Sequence, residues 1–221
     1  MTVDIRVVED PAHSVAELLA AAAAPGAQLA LSGGNSVRRA YELAARLQPR
    51  WRDVHVWFGD ERAVPPHDQR SNYRLVRDAL VDALGTPPEV HRIRGERQAE
   101  EAAALYDAEL AGVTLDLALN GIGPDGHTAS LFPGAPTLDE TERRAVAAEP
   151  GLDPFVPRVT MTPPLFAGCG LLVYLVTGAA KADAVRLSFA TEPSSQTPAS
   201  LIRGRSTVAV LDEAAASLLD S

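Results

Sequence analysis

One stretch of the chain combines residue types and spacing that suit chemistry: Asn120-Gly-Ile-Gly123-Pro-Asp125-Gly-His127-Thr-Ala-Ser130-Leu-Phe132-Pro-Gly134. Histidine exchanges its proton near neutral pH, which makes it the natural general acid and base. Asp125 and His127 stand two positions apart with only Gly126 between them. The glycines, Gly123 among them, imply backbone wrapped tightly around a ligand. A lone histidine is more often structural, but one in a glycine-rich loop after a strand and beside an aspartate is read here as functional.

Three further clusters offer complementary groups. In Ser32-Gly33-Gly34-Asn35, between a strand and a helix, glycines let backbone N–H groups approach an anion at a helix N-terminus. Taken alone, this is an ordinary strand-to-helix turn with Asn35 or Ser36 as its cap, and it is neither a Walker loop nor a GxGxxG fingerprint. Asp60-Glu61-Arg62 puts three charges directly after the apolar Val56-Trp-Phe58. There a carboxylate could orient a sugar hydroxyl and a guanidinium could bind a phosphate. Gly178-Ala-Ala-Lys181 opens a helix, and Lys181 is the sole lysine of the chain. Without the other clusters it would read as a solvated surface residue.

The elements that must position these groups alternate. Strands are expected at Ile5–Val8, Gln28–Leu31, Val54–Phe58, Leu115–Leu119, Val159–Met161, Leu171–Val176 and Thr207–Leu211. Helices are expected at Ser14–Ala24, from the double glycine to about Leu47, at Asn72–Leu84, Gln98–Ala111 and Ala179–Phe189, and at the end of the chain. Continuous apolar strands separated by helices predict a Rossmann-like, three-layer α/β fold, with a mostly parallel sheet covered by helices on both faces. Each polar cluster follows a strand. In an open parallel sheet, ligands bind beyond the carboxyl ends of the strands, so all four clusters are expected on one rim.

Composition narrows the function. The 221 residues, 46% hydrophobic and 22% charged, fit one globular α/β domain spanning 1–221. A net charge of −9 without a basic block argues against a nucleic-acid partner. No apolar run is long enough to span a membrane. A single cysteine, Cys169, and no visible signal peptide fit a cytoplasmic protein, and the thiol reads as a small buried hydrophobe. The five histidines are scattered and show no metal-ligand spacing, so neither a metal nor another cofactor is expected.

Together the clusters resemble the 6-phosphogluconolactonase family. The resemblance runs over most of the chain: Leu31-Ser-Gly-Gly34, Trp57-Phe-Gly-Asp60-Glu-Arg62-Ala-Val-Pro65, Ser71-Asn72, Gly121–Gly134, Arg158-Val-Thr160, Thr177-Gly-Ala-Ala-Lys181 and Pro198-Ala-Ser-Leu-Ile202. The block Gly-Pro-Asp-Gly-His-Thr-Ala-Ser-Leu-Phe-Pro-Gly is highly specific. The chain departs at Ser36-Val37, where the family has Thr-Pro, so the early helix lacks the preset φ of proline. The resemblance implies hydrolysis of 6-phospho-D-glucono-1,5-lactone to 6-phosphogluconate, the second step of the oxidative pentose phosphate pathway, by a monomer acting on this small phosphorylated lactone.

The expected mechanism uses neutral His127 to deprotonate the water that attacks C1 and then to return a proton to the ring oxygen. Asp125 or Asp60 holds the imidazole or the water, and N–H groups of the glycine-rich loop stabilise the oxyanion. The expected substrate and phosphate contacts are Ser32, Gly33, Gly34, Asn35, Arg62, Asn72, Gly123 and Lys181. Two alternatives stand beside this one. Glucosamine-6-phosphate deaminases share the Asp-Glu and Asp-Gly-His patterns, but they carry a ring-opening Glu where Phe132 stands here. A non-catalytic sugar-phosphate sensor would keep Arg62 and Lys181 without needing His127.

Overall fold

The computed structural model describes residues 2–219, except for the side chain of Asn35. The described residues form ten strands: β1 (Asp4–Val7), β2 (Gln28–Leu31), β3 (His55–Phe58), β4 (Asp60–Arg62), β5 (Glu89–Val90), β6 (Leu117–Asn120), β7 (Ala145–Ala148), β8 (Arg158–Met161), β9 (Leu171–Val176) and β10 (Ser206–Leu211). Between and after them run eight α-helices: α1 (Pro11–Ala22), α2 (Asn35–Leu47), α3 (Asn72–Ala79), α4 (Ala99–Glu109), α5 (Pro163–Ala167), α6 (Ala182–Phe189), α7 (Pro198–Leu201) and α8 (Glu213–Ala216).

Seven strands form a wholly parallel sheet in the order β1-β10-β9-β6-β2-β3-β5. Its inner strands are buried along nearly their whole length, as apolar runs such as Leu171-Leu-Val-Tyr-Leu-Val176 require. Helices flank it. α1 and α2 pack on each other and against β9, while α6 packs with α7 and α8. The mostly parallel sheet with helical layers is the architecture expected from the alternation of elements. From β2 the chain moves outward to β3 and β5, whereas from β6 it moves the other way to β9 and β10. The order therefore reverses between β2 and β6, and such a reversal opens a crevice above the carboxyl ends of those two strands.

Three strands depart from the sequence expectation. Asp60–Arg62 is itself a strand rather than a loop after one, and it joins a second, antiparallel sheet, β4-β8-β7. β7 is Ala145-Val-Ala-Ala148, whose alanines carry little strand propensity. β5 has two residues, too few for any period to show. Helix ends are local and legible. Asp10 caps α1 by accepting from His13 N at 3.1 Å, with Pro11 in the first turn, and Ser71 caps α3 by accepting from Arg74 N at 3.2 Å. α2 differs from expectation. Its cap is Gly34, at φ +110°, with no side-chain capping bond, so neither Asn35 nor Ser36 caps it.

Candidate active site

A cavity of about 570 Å³ opens at the β2/β6 crevice. Its wall takes Ser32, Gly33 and Gly34 from the loop after β2, Asp60 and Arg62 from β4, Gly121 to Pro124 and His127 from the loop after β6, and Lys181 from the turn before α6. All four clusters picked out in the sequence thus meet, although β4 reaches the rim as part of the small antiparallel sheet. Asn72 lines the same cavity. Asn35 opens α2 beside it, but its side chain lies outside the described residues.

His127 Nδ1 lies 2.5 Å from Asp125 Oδ1, which also accepts the His127 backbone N–H at 3.2 Å. This pairing turns Nδ1 toward the carboxylate and frees Nε2 for other work. Gly123 makes it possible. A Cβ at that position would lie 2.0 Å from His127 Nδ1 and 2.6 Å from Asp125 Oδ1, so only a bare α-carbon fits. Burial pushes the Asp125 carboxyl up, but the hydrogen bonds and charge of His127 outweigh it, and the group titrates below its ordinary value. Phe132 packs its ring 4.8 Å from the imidazole and closes that side against water.

Asp60 is placed differently. Asn72 Nδ2 donates to its Oδ1 at 2.9 Å, and Ser130 Oγ donates to its Oδ2 at 2.6 Å. Of the two aspartates left open by the sequence, Asp125 therefore holds the imidazole, while Asp60 faces the cavity from a fixed cradle. Asn72 is 1% exposed and sits so close under Gly33 that a Cβ there would come within 1.8 Å of its Oδ1. It spaces the β2 loop from β4. Glu61 points away from the cavity, into the start of α3. It accepts the backbone N–H groups of Arg62, Asn72 and Tyr73 at 2.7–2.8 Å and the Ser71 hydroxyl at 2.9 Å. Burial pushes its carboxyl up in spite of those donors.

Three cations line the cavity: Arg62 and Arg158, paired across β4 and β8, and Lys181, which lies in the field of Asp125. Arg62 Nη1 donates to Arg70 O at 2.5 Å, which fixes the guanidinium at the cavity edge. Lys181 has its pKa lowered by burial, opposed by the field of Asp125. Arg158 was not singled out from the sequence, yet it is 4% exposed, lines the cavity and anchors Nη2 on Leu152 O and Pro154 O at 3.2 Å each. Its only sequence signal was membership of the Arg-Val-Thr block. Thr177, another lining residue without an expected role, ties the two loops together through a 3.4 Å contact with Ser36 Oγ. Ser32 Oγ, Arg62 Nε and Arg158 Nε are buried and make no hydrogen bond among the described residues, although buried polar atoms are ordinarily paired. Ala129, also in the wall, holds φ at +49°, a left-handed conformation that costs a non-glycine residue about 1–2 kcal/mol.

Two features of the structure refine the sequence reading. The loop after β6 spends much of its backbone on its own shape. Gly123 N donates to His127 O, Gly126 N to Gly123 O, and Ser130 N to Thr160 Oγ1. Those three N–H groups are engaged within the chain. The fold brings two of the histidines, far apart in sequence, together. His55 and His91 meet beside Glu89, the one group among the described residues with three His, Cys or carboxylate donors close enough to share an ion. That cluster lies outside the cavity. Cys169 is buried, its thiol pushed up to about 12, as an inert core residue should be.

Residues 5–211 match the family model described as glucosamine-6-phosphate isomerases/6-phosphogluconolactonase. The chain belongs to this family. A curated relative from Haemophilus influenzae, named 6-phosphogluconolactonase, is 35% identical over 204 residues, covering 86% of this chain and 87% of its own. Among solved structures, a 6-phosphogluconolactonase from Thermotoga maritima superposes with a TM-score of 0.84 at 26% identity over 96% of this chain and 99% of its own. A monomeric glucosamine-6-phosphate deaminase superposes equally well, TM-score 0.84, over 99% and 100% of the two chains. At 21% identity it shows the shared fold alone. Among the described residues no helix is long and apolar enough to cross a membrane.

Proposed function

We propose that this single α/β domain hydrolyses 6-phospho-D-glucono-1,5-lactone to 6-phosphogluconate, with His127 as the proton carrier. The observation that carries this reading is the 2.5 Å Asp125–His127 pair, with His127 lining a cavity that is also lined by Arg62, Arg158 and Lys181. Nδ1–H donates to Asp125, so Nε2 presents its lone pair. Nε2 takes a proton from water as the water oxygen adds to C1. The imidazolium, steadied by the Asp125 carboxylate, then gives that proton to the ring oxygen as the C1–O bond breaks, leaving a free hydroxyl and a carboxylic acid that loses its remaining proton to solvent. Asp60, fixed by Asn72 and Ser130, accepts hydrogen bonds from sugar hydroxyls. The 6-phosphate lies against the start of α2 and between Arg62 and Lys181, where charge-assisted bonds and the helix N-terminus act together.

The surroundings of His127 disfavour the deaminase alternative. The apolar ring of Phe132, 4% exposed, sits against His127 and beneath the Arg158 guanidinium, where a ring-opening carboxylate would be needed. The test is turnover of freshly prepared lactone at mildly acidic pH, corrected for spontaneous hydrolysis, with His127→Asn as the comparison. A general acid–base group contributes about 100- to 10,000-fold. Near-wild-type kcat in the variant, or release of ammonia from glucosamine 6-phosphate by the wild type, would overturn the proposal.

A further inference from the structure

The far end of β3 carries a second cluster that the lactonase chemistry does not use. β3 and β5 run parallel with His55 opposite Glu89, and the pairing continues as His91 N donates to Val56 O at 2.9 Å. Alternation along each strand puts His55 and Trp57 on the same face as Glu89 and His91. His55 Nδ1 and His91 Nε2 are 3.0 Å apart, and each lies 3.5–3.6 Å from a carboxylate oxygen of Glu89. Both imidazoles are mostly buried, 28% and 20% exposed, whereas Glu89 is 63% exposed. Trp57 stacks flat on His91, with centroids 4.0 Å apart and planes 8° apart. Trp57 is fixed in turn by donating Nε1–H to Gln28 Oε1 at 2.7 Å.

We propose that His55, His91 and Glu89 form a structural binding site for a borderline transition-metal dication, Zn²⁺ above all. Zinc binds nitrogen and carboxylate oxygen at about 2.0–2.2 Å, which at a tetrahedral angle sets neighbouring donors about 3.3 Å apart. The two nitrogens stand 3.0 Å apart and lie 3.5 and 3.6 Å from different oxygens of Glu89, so an ion requires the imidazoles to part by about 0.3 Å and one oxygen of the exposed Glu89 to turn toward both. Two imidazoles with one carboxylate suit Zn²⁺, Ni²⁺ or Cu²⁺, and offer too few oxygens for Mg²⁺ or Ca²⁺. The packed Trp57–His91 stack lowers the entropy lost on binding, and water completes the coordination on the exposed side.

The ion would act as a clip. β5 is a two-residue edge strand, and the chain leaving it reaches Gly95, where a Cβ would lie 2.4 Å from Arg62 O and 2.8 Å from Val64 O. The segment after His91 therefore packs directly on the backbone that presents Arg62, and a metal joining β5 to β3 would secure it from behind. The site stands at the opposite end of β3 from Asp60, so the clip supplies stability and takes no part in hydrolysis.

The test is equilibrium dialysis of the tag-free, chelator-stripped full chain against ZnCl2, with thermal melts alongside. One zinc per chain is expected at micromolar affinity or tighter, and a rise in Tm of about 5–10 °C at a hundredfold excess over Kd. Co²⁺ in place of Zn²⁺ should give the visible absorption of a tetrahedral site and quench Trp57. His55→Gln and His91→Phe, the latter keeping a ring on Trp57, should each weaken binding at least 30-fold. Glu89→Gln, at an exposed position, should weaken it about tenfold without altering the metal-free melt. His13→Ala should leave it intact. Binding weaker than about 100 µM, binding that survives His55→Gln, or binding lost in His127→Asn instead would overturn the proposal.

Discussion

Replacing Gly123 with alanine adds one methyl group at the foot of the cavity, and the consequence can be worked out in ångströms. The added carbon would lie 2.0 Å from His127 Nδ1 and 2.1 Å from Cε1, where ordinary contact begins at 3.4 Å. The ring must therefore retreat by about 1.4 Å, or rotate by an equivalent amount, and the 2.5 Å bond to Asp125 cannot survive either movement. Gly123 does not hold a positive φ, so alanine meets no backbone penalty and the substitution acts through the side chain alone. A misplacement of about 1 Å costs roughly a hundredfold in rate, and loss of an oriented acid–base group costs about 100- to 10,000-fold. The expected kcat is about 10²- to 10⁴-fold below wild type, with 6-phosphogluconate binding changed less than tenfold. Gly121→Ala is the control. It lies two residues away in the same loop, and its added carbon would come no nearer than 3.9 Å to Leu175 O, so it should retain activity within about threefold. Steady-state hydrolysis for both variants, with circular dichroism to confirm folding, makes the comparison. If Gly123→Ala turned over within threefold of wild type, the Asp125–His127 pair would not be the geometry that catalysis needs.

Other perturbations separate binding from folding. Arg62→Ala and Lys181→Ala should each weaken 6-phosphogluconate by about 2–5 kcal/mol if the contact is desolvated, while leaving unphosphorylated gluconate unaffected. Equal losses for both ligands, measured by calorimetry, would mean that these residues shape the site rather than read the phosphate. Glu61→Ala strips the partner from two backbone N–H groups at the start of α3 and from that of Arg62 in β4, at about 1–3 kcal/mol for each group left dry. The urea midpoint should fall well before any change in intrinsic kcat is seen. The Asp125 carboxyl titrates below its ordinary 3.8, so its contribution to stability is complete above that value and is lost as pH falls through the lower folded value. The stability gap between wild type and Asp125→Asn should therefore be larger at pH 5 than at pH 3. A gap independent of pH would remove the linkage.

The rim of the sheet was legible because its chemistry is local in sequence. Each cluster follows an apolar run, and alternation of strand and helix places such clusters at one end of a parallel sheet. What was hidden depends on contacts between distant residues. That Glu61 caps α3 while Asp60 faces the cavity is decided by the pairing of β4 with β8, and three adjacent charges do not reveal it. Arg158 reaches the cavity through the same pairing, from a strand that reads as short and ordinary. The loop N–H groups seemed available because glycines suggest ligand contact, whereas several of these groups close turns of the loop itself. His55 and His91 are 36 positions apart, and only the register of a two-residue edge strand makes them neighbours.

Lys181 is the chain's one primary amine besides the N-terminus, and the fold puts it in the cavity wall with burial favouring its uncharged, nucleophilic form. An acylating or aldehyde reagent used at limiting concentration would thus mark a single side chain, and the mark would report whether the cavity is filled. Protection of that one peptide in a mass spectrum, as a function of added sugar phosphate, gives an occupancy curve that needs no turnover and no unstable lactone.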